Sequence, residues 1–494
     1  MQLANIYVAN LDRDRTPYEE CFPWQPLWEE ARIIRREKAI TSGATESPAS
    51  LEHLKRLFGA NTAATPHEGV PITQSIQAEG QSDREEDLTV AVEFKFLVPY
   101  RPHGAAETDD CYRHPPVATA DMISDAATAT DADHQRLQDH AFRAIAATIR
   151  ACDGQDAISS HEMQEQQPTQ PLSAYWATHW LVKRSNSAEP SAAHPHYGDW
   201  AWVPVEINSP KLSWAGRART SETIRTVLRA LHARHRIETN YSCEVHVHVG
   251  RRDGRRLGLP SLQRLAVLCW LAEPVLRGVK DPRSPNFVHK YTWSSPLRER
   301  SRLASELRSK QQHLDIAEHR QQQQQQTSEL RAIGRILASR SHVELGRLMT
   351  GEGRPYRRLG FNFYSLVKDT LSEPERTELE TVECRFLEGT MAEDVILGWL
   401  QIFGSLVQSA LASAPRQEYS EEQPDLMLPL LGLLEQTDQC PTTATDTFVN
   451  LMEDMGVDRS SFAPVLAVIH RARPVSTGAD SLLVAGDNSL RSHI

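Results

Sequence analysis

The sequence predicts an α+β protein: a sheet whose apolar face packs on helices and whose polar, acidic face forms a groove. Two observations predict it. Four short strand-like segments each carry a carboxylate or imidazole on the face opposite their apolar side chains, and amphipathic helical segments alternate with them.

The first strand spans residues 88–99, LTVAVEFKFLVP. There Val90, Val92, Phe94, Phe96 and Val98 alternate with Ala91, Glu93, Lys95 and Leu97, and a proline ends the run. Glu93 and Lys95 therefore share one face. A polar Ala/Thr/Asp-rich loop follows, and residues 134–151 then place Leu137, Phe142, Ile145 and Ile149 near helical spacing. A strand over 199–207 carries Glu206 and is terminated by Asn208, Ser209 and Pro210. Residues 220–236 read as a helix capped by Thr220 or Ser221, with Ile224, Val227, Leu228 and Leu231 as its stripe.

The strand CEVHVHVG projects His246 and His248 to one side and Val245, Val247 and Val249 to the other. A helix over about 261–279 begins after Pro260. Residues 297–340 are charged and include six consecutive glutamines at 321–326, the pattern of a solvated helix or an insertion. Two further strands, RRLGFNFYSL and TVECRFLEGT, bring Asn362 and the pair Glu383 and Arg385. Helices over 392–411 and 446–473 close the pattern, and the arginine-rich stretch 331–358 reads as a solvated face.

Composition limits function less sharply. The chain has 494 residues, 65 Asp plus Glu against 54 Lys plus Arg, and a formal net charge of -11. This balance argues against nucleic acid as a partner, because phosphate binding needs a concentrated basic face. No apolar run reaches the roughly 20 residues of a membrane-spanning helix. The N-terminus lacks a basic start followed by an apolar stretch, so neither secretion nor membrane insertion is expected. Seven scattered cysteines without a CxxC pair fit reduced thiols in the cytoplasm or nucleus.

Strand carboxylates suit Mg²⁺, which takes oxygen ligands and bridges to phosphates. Arginines beside them, Arg385 and Arg283, suit a transferring phosphoryl group. Each signal has a plain counterpart: a lone strand glutamate usually faces solvent, paired imidazoles also serve as hydrogen-bonded core groups, and Glu383 with Arg385 reads equally as an ion pair. The five tryptophans at 176, 180, 200, 202 and 214 read as core. Four such strands in one chain weigh more than any one of them.

In order, these motifs resemble the amidoligase family, a branch of the carboxylate–amine ligases related to glutamine synthetase and glutamate–cysteine ligase, in a fungal-type form. The resemblance rests on AVEFKF, VPVEINSPKL, CEVHVHVG, Glu273-Pro274, Arg283, FNFYSL and TVECRFLEGTM, and runs from about residue 88 to 411. It implies a mostly antiparallel sheet of the glutamine synthetase/glutamate–cysteine ligase kind. It also implies an ATP- and Mg²⁺-dependent ligase that joins a small-molecule or peptide carboxylate to an amine through an acyl phosphate. By this resemblance Glu93, Glu206, Glu383 and His248 hold metal, and Lys95, Arg283, Asn362 and Arg385 contact nucleotide or phosphate. Glu206, His246, His248, Glu383 and Arg385 form the catalytic set.

Three positions depart from the family pattern. Lys95 stands where a second acidic residue is common, Ser185-Asn186-Ser187 replaces a D-x-S element, and Glu244 replaces a glycine. A protonated lysine cannot ligate magnesium. A second reading is therefore a catalytically degenerate relative that binds nucleotide or peptide as an interaction module. A third, a zinc hydrolase on His246 and His248, lacks a third protein ligand. The expected organisation is a largely disordered segment 1–86 and a catalytic domain 87–415 with insertions at about 101–134, 153–172 and 297–340. A helical extension and polar tail, 416–494, complete it. The central geometric expectation is that Glu93, Glu206, His246, Asn362, Glu383 and Arg385 line one groove.

Overall fold

The computed structural model describes residues 83–103, 118–121, 123, 125–166, 172–280, 295–312, 321–352, 358–370, 380–412 and 444–472, all within one compact unit. Nearly all of the expected disordered segment lies outside them, as do Arg283 and the polar tail. In chain order the first elements are β1 (Leu88–Pro102), β2 (Ala118–Ala120), α1 (Asp131–Arg150), β3 (Ala157–Ser159), α2 (Ser160–Glu165) and α3 (Leu172–Thr178). Next come β4 (Trp180–Arg184), β5 (Ala201–Asn208), β6 (Leu212–Ser213), α4 (Arg217–Arg234), β7 (Glu244–Arg251) and α5 (Leu259–Leu276). Then follow α6 (Leu297–Arg300), α7 (Arg302–Gln312), α8 (Gln321–Leu337), α9 (His342–Leu348), β8 (Phe361–Asn362) and β9 (Val382–Glu388). The last are α10 (Glu393–Ala412), α11 (Ala444–Asp454) and α12 (Arg459–Ala472).

Among the described residues one sheet runs in the order β3-β4-β5-β1-β7-β9-β8, with β2 and β6 also paired to β1. Its pairings are antiparallel except β1 with β2 and β3 with β4, so the fold is α+β with a mostly antiparallel sheet. β1 lies at the centre, which is why it is buried along almost its whole length. One sheet face carries Phe94, Phe96, Val205, Ile207, Val245, Val247, Cys384 and Phe386, all fully buried. Helices α1 and α10 cover that face, with α4 packed between them. Glycine lets α10 approach closely: a Cβ at Gly404 would overlap the Trp214 ring, whose indole N–H donates to Gln408 Oε1 at 2.9 Å. By length and composition α10 is apolar enough to cross a membrane, but 72% of that stretch is buried within the fold.

Several local expectations change. Helix α4 starts at Arg217 behind Gly216, because the Thr220 hydroxyl donates to the Ser213 carbonyl (2.8 Å) and does not act as a cap. Among its described residues, RRLGFNFYSL contributes Phe361–Asn362 as strand. Asn362 Oδ1 accepts the Tyr364 N–H at 2.9 Å, which turns the chain into a 3-10 helix, Tyr364–Thr370. The segment 297–340, expected as a solvated helix or an insertion, contributes α6, α7 and α8 to the helical layer. Its α8 buries Ala332, Ile333 and Ile336 against α5, and Glu329 accepts the Trp270 indole N–H at 2.6 Å. The segment 153–172 likewise supplies β3. In the C-terminal stretch a glycine at φ +65°, Gly456, separates α11 from α12, and α12 packs on α10.

Candidate functional site

The polar face of the sheet is built by strand alternation. Register pairs Glu93 on β1 with Asn208 on β5 and His246 on β7. His248 pairs with Glu383 on β9, and Glu383 with Asn362 on β8. One step along, Lys95 pairs with Glu206, and Glu206 with Lys183 on β4. All these side chains therefore stand on one face, opposite the apolar residues of the same strands. All but His246 frame a groove open to solvent. Its lining includes Glu93, Lys95, Lys183, Glu206, Asn208, Ser209, His248, Arg358, Asn362, Glu383 and Arg385.

Two carboxylates and an imidazole converge at one end. Glu93, His248 and Glu383 each offer a donor atom, all within 4.8 Å of one another. His248 Nδ1 lies 3.1 Å from Thr381 Oγ1, which fixes the ring. Its Nε2 is buried without a hydrogen-bond partner and faces Glu93 Oε2 at 3.6 Å and Glu383 Oε1 at 3.7 Å. An orphaned imidazole nitrogen between two carboxylates is a donor set suited to a divalent cation. An amide holds each carboxylate: Asn208 Nδ2 donates to Glu93 Oε2 (3.1 Å) and Asn362 Nδ2 to Glu383 Oε2 (2.6 Å).

His246 lies beneath this trio and has no exposed surface. Its Nδ1 is 2.8 Å from Glu93 Oε1 and 3.0 Å from Glu383 Oε1, and its Nε2 is 3.0 Å from Glu244 Oε2. The Nδ1 geometry is electrostatic contact without a formed hydrogen bond. Burial and the Arg385 and Lys95 cations oppose its protonation, but Glu93 and Glu383 outweigh them and push the imidazole up to about 9. When protonated, it draws the two carboxylates together. Burial alone would raise both carboxyls. The charges of His246 and Lys95 hold Glu93 well below the usual range, and Arg385, His248 and His246 do the same for Glu383. Arg385 bonds Glu383 and lies 3.6 Å from Glu244.

At the other end, Lys183 Nζ is 2.8 Å from Glu206 Oε1, and Lys95 Nζ is 3.1 Å from Glu93 Oε1. Burial disfavours a charged Lys183, but Glu206 and Glu93 overcome it and raise its affinity for the proton.

Of the six residues expected to share a groove, Glu93, Glu206, Asn362, Glu383 and Arg385 line it. His246 does not; it sits below, where three carboxylates surround it. Lys95 and His248 line the groove, Arg283 lies outside the described residues, and Glu206 is not in the convergent trio. Ser209, beyond β5, ties that turn to the central strand by accepting the Val92 N–H at 2.9 Å. Sequence reasoning missed Lys183, Asn208, Thr381 and Arg358. Alternation against Trp180 and Val182 in β4 marks the face of Lys183, whereas Asn208 read only as a strand terminator. Arg358, grouped with a solvated stretch, lines the groove.

Residues 106–407, more than half of the chain, match the family described as "Putative amidoligase enzyme". The matched range includes β4, β5, β7, β8 and β9 and begins after β1, the strand of Glu93 and Lys95. No curated protein matches the chain.

Proposed function

The chain belongs to the family described as putative amidoligase enzymes, and on that footing we propose that it is an ATP- and Mg²⁺-dependent carboxylate–amine ligase. The observation that carries this reading is one groove in which Glu93, His248 and Glu383 converge beside four cationic side chains, Lys95, Lys183, Arg358 and Arg385. Such a pairing of metal ligands with fixed cations is what phosphoryl transfer demands, since its transition state spreads negative charge over oxygens.

A carboxylate is a poor acyl donor. In the proposed reaction a substrate carboxylate oxygen attacks the γ-phosphorus of ATP, the bond to the bridging oxygen breaks, and ADP leaves. The amine nitrogen then attacks the acyl carbon of the acyl phosphate. The C–O bond to phosphate breaks, the nitrogen loses a proton, and an amide and inorganic phosphate result. Glu93, Glu383 and His248 Nε2 would hold the divalent cation, which when bound neutralises phosphate oxygens. Asn208 and Asn362 orient the carboxylates, and Thr381 orients the imidazole. His246, enclosed by Glu93, Glu244 and Glu383, is a positioning residue. The lysines and arginines bind the substrate oxyanions.

The test is release of ADP in the presence of Mg²⁺, a carboxylate panel and an amine panel. Turnover that requires both substrates, and that Glu383→Ala abolishes, supports the ligase. Nucleotide binding without turnover across a broad panel supports the second reading, a degenerate relative that acts as a binding module. The observation favouring that reading is the pairing of Lys95 and Lys183 with groove carboxylates.

A further inference from the structure

The groove holds three carboxylates, yet they are not equivalent. Glu93 and Glu383 converge with His248, whereas Glu206 lies outside that trio. Glu206 instead sits in a cross-strand row, Lys95–Glu206–Lys183, directly opposite a lysine on each neighbouring strand. Lys183 reaches it at 2.8 Å, and Lys95, almost wholly buried, turns to Glu93 at 3.1 Å. Glu206 has no carboxylate or imidazole directly opposite it on either neighbouring strand, and a dication placed beside it would face an ammonium on both sides. An ammonium has three N–H donors and no lone pair, so it can bind oxyanions but cannot ligate metal.

We propose that Lys95 and Lys183 take the place a second divalent cation would otherwise hold: the groove binds a single divalent cation at Glu93, His248 and Glu383, and the two ammonium groups supply the second cationic contact to a phosphoryl or carboxylate oxygen. This rests on the ligase reading only for the identity of the oxyanion. The number of metal ions stands on the side chains alone.

The experiment is a titration of the full chain with Mn²⁺ alone, without nucleotide, followed by electron paramagnetic resonance. One Mn²⁺ per chain is expected, with its affinity weakened at least about tenfold in Glu383→Gln and its stoichiometry unchanged in Glu206→Gln. Lys95→Glu is expected to raise the count to two. Two Mn²⁺ ions in the unaltered chain, or none, would overturn the proposal. So would a Lys95→Glu chain that keeps its tryptophan fluorescence but still binds one. In the Mn²⁺-loaded protein, Lys183→Gln is expected to weaken pyrophosphate binding by about tenfold, the worth of one charge-assisted hydrogen bond. Unchanged pyrophosphate affinity counts against the second half of the proposal. One Mn²⁺ without amine-dependent turnover would retain this inference and sink the ligase; turnover with two ions would do the reverse.

Discussion

Glu93 and Lys95 are two residues apart on one strand, about 6.8 Å along the same face, yet they anchor opposite kinds of chemistry. Around Glu93 the strand neighbours are amide and imidazole: Asn208 on one side, His246 on the other, with Glu383 and Asn362 beyond. The amides each donate one N–H and leave carboxylate lone pairs facing the groove. Around Lys95 the row is Glu206 and Lys183, a carboxylate flanked by cations. The carboxylates are buried to a similar degree, with Glu93 9%, Glu206 8% and Glu383 5% exposed, so burial does not separate the two ends. The cross-strand partner does. Both ends carry compensating cations, Lys95, His246 and Arg385 at the first and Lys183 at the second, but two carboxylates converge on an unpartnered imidazole nitrogen at the first and not at the second.

The strongest way to break this contrast is to neutralise one carboxylate at each end. Glu383→Gln removes a proposed metal ligand and leaves His246 and Arg385 without their shared anion. The ADP-release rate is expected to fall by about 10³-fold or more, as when a group essential to transition-state charge stabilisation is lost. Stability is expected to drop by about 3–5 kcal/mol, the usual cost of stripping one partner from a buried ion pair. Glu206→Gln leaves only Lys183, whose side chain is 33% exposed and can rehydrate. Its effect should be confined to about a tenfold rise in the KM of one substrate, within the range of a charged hydrogen bond. Equal losses in the two variants would show that the ends do not differ.

The amides sharpen the comparison at the next scale. Asn362→Ala and Asn208→Ala each free a carboxylate of the proposed metal site to rotate without removing it. Supporting partners of metal ligands typically matter by about 10–100-fold in metal affinity. Asn362, with its shorter bond to Glu383 (2.6 Å against 3.1 Å for Asn208 and Glu93), should cost more. Mn²⁺ affinity measured by calorimetry checks this; a loss at Asn208 larger than at Asn362 reverses the ranking.

How much of this was legible beforehand follows from the same register. Alternation in LTVAVEFKF and CEVHVHVG placed Glu93, Lys95, His246 and His248 on polar faces, because a period of two leaves no choice once the apolar face is buried. What alternation cannot give is depth and pairing. His246 and His248 read as equivalent, but Glu93, Glu244 and Glu383 enclose the first while the second keeps an open nitrogen. Lys183 stayed unseen because its meaning comes from Glu206 across the strand gap. The glutamine-rich segment misled for a related reason: charge hid the Ala332, Ile333 and Ile336 stripe that packs on α5.

A buried carboxylate outside the groove lining gives the smallest and cleanest test. Glu273 of α5 is 2% exposed, more buried than Glu383, but it accepts its hydrogen bonds from the backbone N–H groups of Leu297 and Arg298 (2.6 and 2.7 Å). Burial dominates there, outweighing those bonds and the Arg277 and Arg298 charges, and pushes the carboxyl up to about 7, whereas Glu383 is held low by contacting cations. The sign follows directly. A carboxyl whose folded pKa lies above its unfolded value adds stability that is complete below about 4.5 and is lost as pH rises through about 7. In urea titrations, the stability advantage of the unaltered chain over Glu273→Gln is therefore expected to shrink by roughly 1–3 kcal/mol between pH 5 and pH 8. If the difference instead stays level or grows with pH, backbone N–H groups stabilise a buried carboxylate as well as cations do. The contrast between the two ends of the groove would then need a cause other than the charge of the cross-strand partner.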